Sequence, residues 1–437
     1  MTTHSLGIAL AVVMSMTGSA LAQGTSGTET GCPPQKIQHL RATDQCGINV
    51  FEVPKDDDVP YEGFRLEWGA AFTQSFQGLK HENTALPKVV SGVNTNQLAS
   101  IGSGFNLAAA NLNLNAQLAD GIRVALTTYL SSRHHNEAWV KDGYLLIDKL
   151  PLDVPILQGM MKYVTIKAGH FEINYGDAHF RRSDNGNAIY NPFIGNYILD
   201  AFTTEIGGEV YVRARGLMAM GSVTGGEIKG NVLQPQNRSP AFIGKLGVDR
   251  QLKPNLRVRL TGSAYTISKS PSDTLFSGDR AGSRYFFVIE NTQATATANK
   301  DSGMINPGFG RKVTAFQVNP FVKYGGLELF GVVEHATGRG ATEVTERTVN
   351  HYAADVVYRF AGDKLFGGVR YNVFKGQLGL PDEVSVDRTQ LSAGWFITKN
   401  LLMKGEYVTQ KYEGFPDTDI RHGGKFHGLV FEGVVSF

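Results

Sequence analysis

Apolar and polar residues alternate along much of the chain. Leu112, Leu114, Ala116 and Leu118 fall between Asn111, Asn113, Asn115 and Gln117. Asp120-Gly121 then supplies a tight turn. Beyond it Ile122, Val124, Leu126 and Leu130 oppose Arg123, Thr127 and Ser131. Likewise Phe64, Leu66, Trp68, Ala70, Phe72 and Phe76 alternate with Arg65, Glu67, Gly69, Thr73 and Ser75. Successive strand side chains point to opposite faces, so each stretch predicts a strand with one apolar face. The pattern returns where Ile206, Val210 and Val212 interleave with Glu205, Glu209 and Arg213, and where Leu256, Val258 and Leu260 interleave with Arg257 and Arg259.

Sixteen such strands are predicted, at 63–77, 103–119, 121–132, 138–148, 162–172, 203–213, 214–224 and 239–250, then 255–267, 313–323, 326–337, 347–360, 363–376, 384–398, 399–411 and 424–437. Their connections alternate between tight turns, such as Ala119-Asp120-Gly121, Gly325-Gly326 and Thr398-Lys399-Asn400, and long loops at 78–102, 173–202, 225–238, 268–312 and 412–423. Past residue 24 no apolar stretch is long enough to span a bilayer as a helix. The choices are a soluble exported protein or a barrel, because only helices and closed barrels satisfy all backbone groups in lipid. Alternation and loop asymmetry select an all-β transmembrane antiparallel barrel with short periplasmic turns and long extracellular loops. Eighteen strands are possible if Tyr285 to Glu290, inside the 268–312 loop, forms another strand. Two features disturb the pattern: Pro320 inside a strand removes a ladder donor, and 149–161 is long where a turn is due.

The N-terminus divides from the barrel. Leu6 to Met16 is a short apolar run and Ala20-Leu21-Ala22 has the small residues of a cleavage site, so 1–22 reads as a signal peptide. Residues 23–60 are polar, with Pro33-Pro34 and Asp56-Asp57-Asp58. They read as a periplasmic extension, a flexible leader or a partial plug, ahead of a barrel over 61–437. Cys32 and Cys46 are the only cysteines, and in an exported protein they suggest one disulfide.

Composition narrows the function. Net charge is +2 with 19% charged residues, giving no reason to expect a nucleic-acid partner. Ten per cent aromatics argue against disorder. No Gly-x-Ser-x-Gly elbow, His-Glu-x-x-His pair or phosphate-cradling loop occurs. No enzymatic activity, cofactor or metal is expected; Arg133-His134-His135-Asn136-Glu137 reads as a solvated loop rather than a zinc site.

Two stretches carry a family resemblance. Lys167-Ala168-Gly169-His170-Phe171 running into Asn174-Tyr175-Gly176-Asp177 resembles the pore-lining strand and following loop of porins, distantly of the phosphate-selective porin O/P type. Asn319-Pro320-Phe321-Val322-Lys323-Tyr324 is similar to uncharacterised porin-like proteins. The alternating Leu429, Phe431, Gly433, Val435 and Phe437 resemble the terminal signature of outer-membrane barrels. The resemblance implies an outer-membrane channel of a Gram-negative-type bacterium, in contact with outer-membrane lipids and forming a homotrimer. It also implies that 173–202 folds inward as a constriction bearing Asp177, Arg181, Arg182 and Asp184, where opposed charges orient solutes.

Alternation places on the pore wall Arg65, Arg123, Lys167, Arg213, Arg257, Arg259, Lys323, Arg359, Arg370 and Lys404, against Glu67, Glu209, Glu328, Glu334, Asp355, Glu406 and Glu432. A barrel of this size encloses water. The expected function is passive diffusion of small hydrophilic solutes or ions, with a mild anion preference from the ten cations against seven anions. The alternative is a channel selective for phosphate, sugar or a hydrophobic solute, gated by the N-terminal segment.

Overall fold

The computed structural model describes residues 32, 35–55, 59–134, 137–230, 232–279, 282–297 and 301–437. The signal-peptide segment lies outside them, as do Pro33-Pro34, Asp56-Asp57-Asp58, His135 and Asn136.

Sixteen strands close into one antiparallel barrel. They are β1 (Arg65–Glu82), β4 (Gly104–Ala119), β5 (Ile122–Ser131), β6 (Ala138–Ile147), β7 (Val164–Glu172), β8 (Thr204–Ala214), β9 (Leu217–Thr224) and β10 (Ala241–Lys253). The circuit continues through β11 (Leu256–Ile267), β12 (Lys312–Tyr324), β13 (Leu327–Arg339), β14 (Arg347–Phe360), β15 (Leu365–Gly376), β16 (Val384–Thr398), β17 (Leu401–Glu413) and β18 (Lys425–Ser436). A two-residue ladder, β2 (Val89–Val90) and β3 (Val93–Asn94), decorates the first outer loop. Every neighbour in the barrel is consecutive in sequence, and β18 returns to pair with β1. Ala70 and Phe437 exchange both backbone hydrogen bonds, at 2.9 and 3.0 Å, where the circuit closes.

The predicted faces hold. Trp68 is 73% exposed, Leu112 48% and Phe431 50%, all on the outer face, whereas Glu328 and Arg370 are fully buried on the inner one. An apolar exterior on a closed barrel leaves no backbone group unpaired in lipid, so the barrel spans a membrane.

The eighteen-strand alternative fails. Tyr285 to Glu290 lies in a folded loop, and Phe287 and Ile289 adopt left-handed φ values of 63° and 54° that no strand accommodates. Pro320 does interrupt one ladder. Paired residues between β12 and β13 resume only at Phe321, and Gly331 makes the room: a Cβ there would sit 2.9 Å from the proline ring. The long connection after β6 persists and carries the short helix α1 (Pro155–Met161).

Sixteen strands do not enclose an open bore here. The described residues of 35–55, 173–203 and 268–311 enter the lumen, and their apolar side chains join three clusters inside the barrel. Tyr175, Ile194, Ile198, Leu275, Tyr285 and Ile305 pack there against wall residues such as Phe171, Phe374, Val408 and Phe426.

Candidate functional site

Loop 173–203 crosses the lumen to the far wall. The Ile194 N–H donates to Glu406 at 2.7 Å, and Lys404 donates to the carbonyls of Ala188, Asn191 and Phe193. Tyr197 donates to Asp355, whose carboxylate also takes a two-pronged bond from Arg370. Buried charges cost less when paired and fully hydrogen-bonded, which is how this loop meets a polar wall.

Residues 38–55 enter from the periplasmic end and meet the same loop, unlike the periplasmic extension expected of 23–60. Gln38 donates to Asp120 and bonds Gln117 on β4. Phe51 is wedged between Phe180 and Phe321. Glu52 pairs with Lys245 at 2.9 Å and Arg259 at 2.6 Å, and accepts from Asn174. Burial pushes the Glu52 carboxyl up, but Arg259 and Lys245 outweigh it and hold it well below the usual carboxylate range. Cys32 and Cys46 are joined, with a sulfur separation of 2.09 Å.

The four residues expected at one constriction divide between two environments. Asp177 is fully buried with Lys245 at 2.7 Å and Arg259 at 2.8 Å. Arg181 is equally buried, meeting Glu328 at 3.3 Å and Asn49. These two lock the loop to the wall and to the N-terminal segment. Arg182 and Asp184 instead border a cavity of about 340 Å³ beside β4 to β8. Arg182 grips Asp200, and Asp184 meets Lys141 and Tyr129. Burial raises the Asp184 carboxyl to about 6, with Glu172 and Asp279 adding and Lys141 opposing.

The expected wall residues divide in the same way. Arg123, Lys167 and Arg213 line the cavity. Glu209 is buried behind it, 3.3 Å from Lys167, while Arg257 and Arg259 turn to Asp249.

Several lining residues escaped alternation. Lys141 and Asp142 are adjacent yet both buried, because β6 bulges there: Thr127 pairs with Asp142 and Thr128 with Val140, leaving Lys141 extra. A bulge lets neighbouring side chains share a face. Lys141 then lies 2.6 Å from Glu172 and 3.6 Å from Asp142. His179 bonds Glu172 at 2.7 Å, and burial lowers its pKa. Arg41 stacks on Tyr190 at 3.6 Å; no pattern in residues 23–60 announced it. Among the described residues no cluster of His, Cys, Asp and Glu has the makings of a metal site.

No family model and no curated protein matches the chain. Solved structures do. An anion-selective porin from Comamonas acidovorans superposes with a TM-score of 0.51 at 10% identity, covering 86% of this chain and all of that one. OmpF of Salmonella typhi, in a complex with daunomycin, gives 0.50 at 13% identity, covering 86% and 97%. The fold is thus that of the outer-membrane porins. With its apolar exterior belt, the chain is an outer-membrane β-barrel.

Proposed function

We propose that this protein is a narrow outer-membrane channel for small hydrophilic solutes. The reading rests on one observation, the polar cavity left between the barrel wall and the segments that fill the rest of the lumen. Its charged lining comprises Arg41, Arg123, Lys141, Lys167, Arg182 and Arg213 against Glu52, Asp142, Asp148, Glu172 and Asp184. Six against five leans weakly toward anions, in the same sense as the wall charges. Arg182 and Asp184 form the constriction, and Arg123, Lys167 and Arg213 the wall below it. A homotrimer embedded in lipid belongs to the same proposal, and chemical cross-linking should give a three-copy band.

Planar-bilayer recording and liposome swelling test the function. Small ohmic steps are expected, with graded sugars passing up to a low size limit and a reversal potential displaced slightly toward anions. Absence of both conductance and sugar flux would sink the proposal.

A second reading, gating by the N-terminal segment, is favoured by Arg41 and Glu52, which come from that segment and line the cavity. Deleting residues 35–60 should then raise the conductance.

A further inference from the structure

The cavity's six cations and five anions are unevenly placed along the barrel. Arg123 is the second residue of β5 and Arg213 the penultimate residue of β8, so both sit at the periplasmic end. Among the described residues neither guanidinium touches a carboxylate. Arg123 donates to the Asn115 side chain and the His39 carbonyl, and Arg213 to the Val53 carbonyl and the Thr165 hydroxyl. Both are more than nine-tenths buried, and among the described residues the Nε of each finds no hydrogen-bond partner. The other charges nearby cancel: Lys55 pairs with Asp148 at 2.9 Å and Lys167 with Glu209 at 3.3 Å.

The outer end has the opposite excess. Asp142, Glu172 and Asp184 all converge on the single ammonium of Lys141. Arg182 is largely committed to Asp200. His179 adds little charge, since burial favours its neutral form. Arg41, also on the lining, sits in the field of Glu172 and offsets part of that excess, so two surplus cations at the periplasmic end face a smaller net negative charge at the outer end. Arg123 pairs with Leu146 on β6, and Asp142 stands four residues further along that strand. At ~3.3 Å per residue and a tilt of ~40° this is roughly 10 Å along the axis. Side chains reaching inward from both ends shorten the gap to that between the termini of a short peptide.

We propose that the cavity is a binding site for zwitterionic short peptides, the carboxylate received by Arg123 and Arg213 and the ammonium by Asp142, Glu172 and Asp184. This deepens the channel reading and rests on it. Guanidinium forks with unused donors suit a carboxylate. A solute carrying both charges gains at both ends, whereas one with a single charge is opposed at one of them.

Block of the ion current by added solute tests this on the full-length protein in a planar bilayer at about 0.1 M salt, where screening extends over ~10 Å. Triglycine should block more strongly than N-acetyl-triglycine, which is only an anion, or triglycinamide, which is only a cation. Replacing both arginines (Arg123→Gln with Arg213→Gln) should weaken triglycine block by about tenfold, the scale of a lost charged hydrogen bond. If that variant does not insert, Asp142→Asn tests the other end and should weaken triglycine and triglycinamide alike. Equal block by N-acetyl-triglycine would leave an anion site only and overturn the proposal. Conductance without any peptide block overturns it while sparing the channel; absence of conductance removes both.

Discussion

Arg182 and Asp200 form a two-pronged ion pair, Nε to Oδ1 at 2.9 Å and Nη2 to Oδ2 at 2.6 Å, that ties the descending limb of loop 173–203 to its returning limb. The arginine also stacks on Phe202. Removing one partner of a buried pair strands the other charge, at a cost of about 3–5 kcal/mol. Asp200→Ala should therefore loosen the loop while the wall strands stay closed. The expected result is a larger single-channel conductance and a higher sugar size limit in liposome swelling. Values unchanged from the parent would show that the pair does not hold the constriction.

Glu52 makes the corresponding anchor for the N-terminal segment. It meets Lys245 and Arg259, which also share Asp177. Glu52→Ala leaves those cations partly satisfied by Asp177, so the barrel should persist while the segment undocks. Limited proteolysis should then cleave within residues 38–55 in the variant and spare the parent. Equal resistance of the two proteins would count against Glu52 as the anchor.

The sequence made the wall legible because a strand repeats every two residues, and one buried face then fixes the register. Leu112 to Leu118 show this: the alternation with asparagine predicts both the strand and its inner face. What fills the lumen has no such period. Glu52 meets partners some two hundred residues away, and nothing local to Glu52 encodes Lys245 or Arg259. Lys141 was hidden for a different reason, since the bulge that turns it inward breaks the alternation used to find inner residues. Arg182 and Asp184, expected from their position in the third outer loop, border the cavity, whereas Asp177 and Arg181, equally placed in sequence, are consumed by contacts with the wall.

Cys32 and Cys46, 14 residues apart, close a loop that overlaps the start of the segment docked in the lumen. Constraining a loop of that length stabilises by about 3 kcal/mol on chain-entropy grounds. The unfolded purified protein should react with a maleimide only after reduction, at two sites. Cys46→Ser should expose the segment to the same protease that reports on Glu52→Ala. Labelling at full level without reductant would rule the bond out.

Asp273 sets a pH dependence on the large outer loop 268–311. Its carboxylate accepts from the Tyr265 hydroxyl at 2.5 Å, and that same hydroxyl meets Glu205 at 2.9 Å. Burial raises the Asp273 carboxyl to about 8, and the Glu205 charge adds to the rise, with Glu227 contributing further. A carboxyl with a raised pKa in the folded state binds its proton there while the unfolded chain has already lost it, from about pH 4 up to about 8. Stability accordingly falls as pH rises through that window. The loss should appear as looser docking of the loop, read as conductance that grows from pH 6 to pH 9. Asp273→Asn keeps the shape and removes the titration, so its conductance and its thermal stability should both be flatter over the same range. A parent protein whose conductance is constant between pH 6 and 9, or an asparagine variant with the parent's slope, would place the control of that loop elsewhere.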